Sequence, residues 1–244
     1  MLMSPHVEEV AKIVAEEKVA VVTTGAGNPS KYIKAWKEAG IKVVPVVPSI
    51  AIAKLVTRAG ADAVIAEGGE SGGHVGDLTT MVLVPQIVDT VDVPVIAAGG
   101  IADGRGMAAA FMLGAVGVQM GTRFLVAKEC NVHENYKKKI LKAKDIDTMT
   151  TGKRLGHPVR CLKNQFAKEF QRMEYNSNVT DEEIEKFGAG SLYKAAVLGD
   201  EKGGSFMSGQ IAAMVHKEET AEEIIKDVCA HAEEVLSGGM KWVK

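Results

Sequence analysis

The residues best suited to chemistry lie in Glu67–Gly76, EGGESGGHVG, where five of ten positions are glycine and one is His74. A loop stripped of side chains lets backbone approach something large and flat, and an imidazole set in it titrates near neutral pH. His74 is therefore the candidate catalytic residue, able to give or take a proton at a bound ligand. Two more glycine-rich stretches follow, AAGGIADGRG (Ala97–Gly106) and VQMGTRF (Val118–Phe124). Gly99 and Gly100 carry no Cβ to block an anion, and Gly121 with Thr122 offers amide donors plus a hydroxyl. Either loop alone reads as a tight turn; the pair, after successive strands, reads as a phosphate site. Neither is a P-loop or a strand-one dinucleotide fingerprint. Glu67 and Glu70 either hydrogen-bond ligand hydroxyls or cap the helix that follows.

These loops need a frame. Five short β-branched runs recur at near-even spacing: Val19–Thr24, Lys42–Val47, Ala63–Glu67, Pro94–Ala98 and Gly117–Gly121. Each is almost continuously apolar, as a parallel strand buried on both faces requires. Helical patterns fill the gaps at Ser30–Ala39, Ser49–Ala59, Thr79–Thr90 and Arg105–Leu113, and several end at glycine. The βα repeat of roughly 20 to 27 residues fits an open doubly wound sheet or a closed barrel. Glycines and small polar residues gather after the C-terminal ends of successive strands, which favours a TIM (β/α)8 barrel, whose sites share that face. Five strands cannot close a barrel, so the first three βα units are expected to precede Met1, with MLMSP reading as the end of a strand and its loop.

The expected organisation is five βα units over residues 1–127, a lid-like excursion of helical and irregular stretches over 128–206, and C-terminal helices over 207–244. Residues 207–235 read as two helices, the second capped by Thr220 with Glu223 three positions on. In the excursion, His157 and Arg160 either reach over the site or belong to a surface loop. Lys137–Lys139 reads as a wet helix face, or as a patch for an acidic carrier protein. His6, His133, His216 and His231 sit among charged neighbours and read as solvated.

Composition narrows the class. The 244 residues are 46% hydrophobic and 25% charged with a formal net charge of -2, enough for a large core and without the basic excess of a nucleic-acid binder. Apolar runs are too short for a membrane span, and the start lacks a basic secretory n-region. Cys130, Cys161 and Cys229 are widely spaced, as reduced or incidental thiols of a cytoplasmic protein are. No HExxH, GxSxG or spaced Cys/His cluster is present, so no metal site is expected.

The stretches TTGAGNPSKY, AVIAEGGESGGHVGDLTTMVLVPQIVD, PVIAAGGIADGRGMAAAFMLGA and VQMGTRFLVAKE, with NYKKKILKAKDIDT, GHPVRCLKNQ and GGSFMSGQIA, closely resemble the FMN-dependent enoyl-acyl-carrier-protein reductases of type II fatty-acid synthesis. The relative of these, nitronate monooxygenase (2-nitropropane dioxygenase), shares the GGH loop and both phosphate loops. The resemblance implies a TIM barrel carrying FMN, with its phosphate on Gly99, Gly100, Gly121 and Thr122 and Gln119 nearby. It places Gly72 and Gly73 along the ribityl and ring, counts Glu67 among the cofactor-binding residues, and sets His74 beside the flavin. It implies NAD(P)H as co-substrate, an enoyl substrate bound to acyl carrier protein, a homodimer, and in some members a monovalent cation. A nitronate monooxygenase and a non-catalytic phosphate-ligand-binding fragment are the alternatives.

Overall fold

The computed structural model describes residues 6–239; the strand end expected at residues 1–5 lies outside them. In chain order the elements are α1 (Val7–Glu16), β1 (Val21–Thr24), α2 (Ser30–Glu38), β2 (Lys42–Val47), α3 (Ile50–Arg58), β3 (Val64–Glu67), β4 (Gly73–His74), α4 (Thr80–Val88), β5 (Val95–Ala98), α5 (Gly104–Met112) and β6 (Gly117–Gln119). There follow α6 (Thr122–Leu125), α7 (Glu134–Leu141), β7 (Thr148–Thr151), β8 (Val159–Leu162), α8 (Gln165–Glu174), α9 (Asp181–Gly188), α10 (Ser191–Ala196), a short 3-10 helix (Gln210–Met214) and α11 (Ala221–Ser237). They form two compact units: one runs to Gly69 and adds Gly76–Ala98 and Ala109–Gln119; the other holds Glu70–Val75, Gly99–Ala108 and the chain from Met120 on.

The first unit is a parallel sheet in the order β1-β2-β3-β5-β6, with helices in the connections. Strands that neighbour in space in their order along the chain, each reached through a helix, are consecutive βα units of a TIM barrel. Side chains alternate across the sheet. Val44, Ile65 and Ala98 cluster on one face with Val46, Ala63 and Ile96. The alternate residues Val43, Val47, Val64, Ala66, Val95 and Ala97 are buried too, and α2, α3 and α4 pack on these strands. Burial on both faces is why the runs are apolar throughout. The helices stop where Gly40, Gly60 and Gly114 take positive φ, at the glycines the sequence marks as stops.

Asp62, just before β3, ties two connections of this unit together. Its carboxylate accepts from the Val43 N–H at 2.9 Å, from Lys37 Nζ at 2.5 Å and from Lys42 Nζ at 3.1 Å. Burial opposes its ionisation, but the two lysines and the amide outweigh that and hold its pKa down at about 2. A carboxylate whose pKa falls on folding adds stability above its unfolded value near 4 and loses it as pH drops toward 2. Asp62→Asn is expected to cost about 1–2 kcal/mol at pH 7 and almost nothing near pH 2, read from urea midpoints at the two pH values.

In the second unit β4, β8 and β7 make an antiparallel sheet in that order. The expectation of only helical and irregular structure here is corrected: TMTT and VRCL are strands. They are four residues long and mix apolar with polar side chains, so no periodic signal marks them. Tyr136, Ile140, Leu162 and Phe206 centre one apolar cluster, and the Tyr136 hydroxyl donates to the Met207 carbonyl at 2.6 Å. Phe166, Phe170 and Ile184 centre another. The reading of Lys137 as wet is also corrected. It is buried, and its ammonium donates to the Ala127 carbonyl at 2.8 Å, so the (CH2)4 stem packs while the head closes a backbone acceptor. The first of the two C-terminal helices is only the 3-10 turn at Gln210–Met214, while α11 begins with the expected Thr220–Glu223 capping box.

Candidate active site

Each loop that leaves the C-terminal end of β3, β5 or β6 passes into the second unit, as Glu70–Val75, Gly99–Ala108 and the chain from Met120. Side chains at the strand ends themselves stay with the sheet. Glu67 is level with Ala98, and Ala98 with Gln119, so these two candidates mark one height on the C-terminal edge. The other seven, Gly72, Gly73, His74, Gly99, Gly100, Gly121 and Thr122, are gathered in the second unit.

There Gly72, Gly73 and Thr122 meet a segment the residue-type reading did not single out, Ser205–Gly209. Gly209 donates its N–H to Thr122 Oγ1 at 2.8 Å, and a Cβ on Gly72 would lie 2.6 Å from the Ser208 carbonyl carbon. Gln210 N–H donates to the Glu70 carbonyl at 2.9 Å, and a Cβ on Gly100 would lie 3.5 Å from the Glu70 side chain. The glycine at 72 thus serves close packing against the protein's own backbone on one side, while the residue stays exposed. Its signal in the sequence is the run GGSFMSGQ, as rich in glycine and serine as the loops it joins.

His74 is held by backbone pairing. Gly73 pairs with Arg160 and His74 with Val159, and Val75 N–H donates to the Pro158 carbonyl at 3.0 Å. The ring is half-buried, and burial first, then the nearby His157, lowers its pKa below the ordinary histidine value. His74 is therefore a neutral imidazole at pH 7, with one nitrogen donating and one accepting. The structure brings both excursion candidates to this strand: Arg160 beside Gly73, and exposed His157 within electrostatic reach of His74. Arg160 Nη1 donates to Thr148 Oγ1 at 3.3 Å, and while burial pulls its pKa down, the charge of Glu70 pushes it up. The charge of Glu70 thus reaches Arg160, while the N-cap position of α4 is Thr79. Of the remaining histidines, His6 and His216 are exposed as expected. His133 instead caps α7, accepting from the Asn135 N–H, and His231 is half-buried.

The residues present fit a phosphorylated, flat cofactor. Gly99 and Gly100 adopt φ of +86° and +73°, a conformation that turns the chain without a side chain in the way. Gly100 and Gly121 are exposed, and nothing lies within 4 Å of where a Cβ on Gly121 would be. Gly121 and Thr122 open α6, whose first amides have no partner inside the helix. The Thr122 hydroxyl accepts from Gly209, which leaves its own proton to donate. Among the described residues no group of three or more His, Cys, Asp or Glu side chains is arranged for a metal ion. The cysteines are free, with Cys161 buried and its thiol pushed up by burial to about 11. No helix among the described residues is long and apolar enough to cross a membrane.

Consecutive βα units of this order define an α/β-barrel protein, a class whose sites lie in the loops after the C-terminal ends of the strands. Residues 3–231 match the family model for nitronate monooxygenase, and the chain belongs to that family. A probable nitronate monooxygenase of Staphylococcus aureus (strain MRSA252) is 39% identical over 216 residues, 84% of this chain and 59% of that protein. The chain thus spans about three fifths of the length of the curated relatives it matches. Among solved structures, FabK from Thermotoga maritima superposes with a TM-score of 0.96 at 51% identity, covering 99% of this chain and 77% of that one. A nitroalkane oxidase from Streptomyces ansochromogenes superposes with a TM-score of 0.83 at 28% identity, covering 95% of this chain and 69% of that one.

Proposed function

We propose that this chain carries the catalytic part of an FMN-dependent oxidoreductase that reduces a trans-2-enoyl thioester, borne by acyl carrier protein, with NAD(P)H. The observation that carries the proposal is the position of His74, fixed by β4–β8 pairing in the unit that also holds the Gly99–Gly100 and Gly121–Thr122 loops. The 51% identity with FabK weighs for the reductase over other members of the family. FMN, when bound, supplies the hydride relay from NAD(P)H to the β-carbon of the enoyl group, which no side chain here provides. Gly100, Gly121 and Thr122 bind its phosphate through backbone N–H groups and a hydroxyl. Gly73 keeps the chain beside His74 free of bulk, and Arg160 next to it orders the strand and draws negative charge toward it. As hydride arrival builds negative charge on the thioester, the His74 N–H stabilises it by hydrogen bonding and assists protonation at the α-carbon. Homodimerisation, a monovalent cation and a cytoplasmic setting belong to the same proposal.

A second reading is favoured by one observation: the lowered pKa of His74 suits a base that removes a proton from a nitroalkane, as a nitronate monooxygenase requires. Anaerobic NADH or NADPH consumption with a crotonyl thioester, set against aerobic turnover of 2-nitropropane, separates the two. The reductase is expected to consume reductant with the thioester and leave the nitroalkane untouched; the reverse outcome overturns it. The pH dependence carries a sign. A step that needs neutral His74 rises with pH through a value below the ordinary histidine pKa and levels off above it. A kcat/KM that instead falls across pH 6–7 would mean that the protonated ring is required.

A further inference from the structure

On the second unit, α7 and the start of the segment after β8 enclose a cleft of about 310 Å3 that no step above uses. Lys138, Lys139, Lys142 and Lys163 line it, against Asp147 and Glu201, which leaves a surplus of two positive charges. The two carboxylates are already engaged: Asp147 accepts from the Lys144 N–H at 2.9 Å, and Glu201 lies 3.5 Å from Lys139 Nζ. Lys138, Lys142 and Lys163 are exposed, and none has a carboxylate within 4 Å among the described residues. Lys138 lies in the last turn of α7 and Lys142, four residues on, is its C-cap residue, so the two ammonium groups gather at one end of the helix. The chain as a whole has a net charge of -2, so this basic concentration runs against its own average.

We infer that this lysine-lined cleft docks an acidic helix of the carrier protein that delivers the thioester, an inference that rests on the reductase reading. The form of the charge selects a protein surface over a phosphorylated small molecule. A built phosphate pocket presents backbone N–H groups or a planar guanidinium fork, whereas here Lys138 and Lys142 are exposed ammonium heads on flexible stems, Lys163 Nζ donates to the Ile146 carbonyl at the rim and Lys139 is turned toward Glu201. Such heads adjust to spread carboxylates and accelerate encounter with an acidic surface. The position fits delivery. Leu162 lines the cleft at one end of β8, and Val159, three residues away, pairs with His74, a distance of about 10 Å at the rise of a strand. A partner seated on the cleft therefore holds its tethered thioester within reach of the imidazole.

The test is fluorescence anisotropy of labelled acyl carrier protein with the full chain at low salt, for wild type, Lys138→Glu/Lys142→Glu and Lys163→Glu, with exposed Lys54→Glu as control. The double variant is expected to weaken binding at least tenfold and Lys163→Glu severalfold, with the control unchanged and wild-type binding falling steeply as NaCl rises. Equal affinity for all four proteins, no binding by wild type, or competition by micromolar pyrophosphate overturns the inference. A kinetic arm separates it from the reading beneath it. The double variant should raise KM for the carrier-bound enoyl substrate about tenfold and leave kcat/KM for crotonyl-pantetheine unchanged. Wild type that reduces neither thioester refutes the reductase, whereas equal loss on both thioesters in the double variant refutes the docking surface alone.

Discussion

Replacing His74 with alanine is expected to leave flavin binding intact and to slow substrate turnover by about 10²- to 10⁴-fold, the usual contribution of a positioned acid or base. At roughly 1.4 kcal/mol per factor of ten, that is about 3–5 kcal/mol of barrier. The two effects separate because they depend on different loops. The phosphate-facing groups are Gly100, Gly121 and Thr122, while His74 is carried by β4, whose pairing with Val159 uses backbone atoms that alanine retains. Flavin absorbance of the purified variant reads the first effect and steady-state kinetics the second. Turnover unchanged within a factor of three would remove the imidazole from the reaction. Loss of bound flavin would show instead that the ring holds the cofactor.

The second large effect is one of stability. Gly104→Ala is expected to destabilise the protein by more than about 3 kcal/mol, which in a chain of this size lowers Tm by about 6–12 °C or more. Gly104 is buried at the start of α5, and a Cβ there would fall 2.2 Å from the Ala232 N and 2.5 Å from the His231 carbonyl carbon, both on α11. Those are backbone atoms inside a 17-residue helix, so no side-chain rotation relieves the overlap. Gly238→Ala is the matched control, since nothing lies within 4 Å of its Cβ position and its φ is -73°. Its Tm should stay within about 2 °C of wild type, because a site that meets nothing costs little. Thermal melts of the three proteins at one pH and protein concentration check both statements. Equal melting of wild type and Gly104→Ala would show that α11 does not lie on α5 as described.

Most of the frame could be read residue by residue because its causes are local. Each of the five sheet strands lies inside a run marked by continuous β-branched character, with ends differing by at most two residues. The helix stops at Gly40, Gly60 and Gly114 follow from positive φ, which only a missing Cβ makes easy. The Thr220–Glu223 box is legible for the same reason, as its two hydrogen bonds join residues three apart. The glycine loops are legible as loops and, as a pair after successive strands, read as a phosphate site; the family resemblance added the flavin.

What the chain's order of residues determined by itself, then, is the set of βα elements, the turns that carry no side chains, and the imidazole among them. Tertiary structure alone decided that His74 belongs to a strand, since its partner Val159 is 85 residues away and neither segment is long or apolar enough to announce the pairing. It likewise decided that Gly72 faces Ser208, that Arg160 and Glu70 join the site, and that Lys137 is buried while Lys138 is not. Local propensity and periodicity act over a few residues. Which distant backbone closes on a bare glycine, and which lysine of three turns inward, follows from packing that only the assembled unit contains.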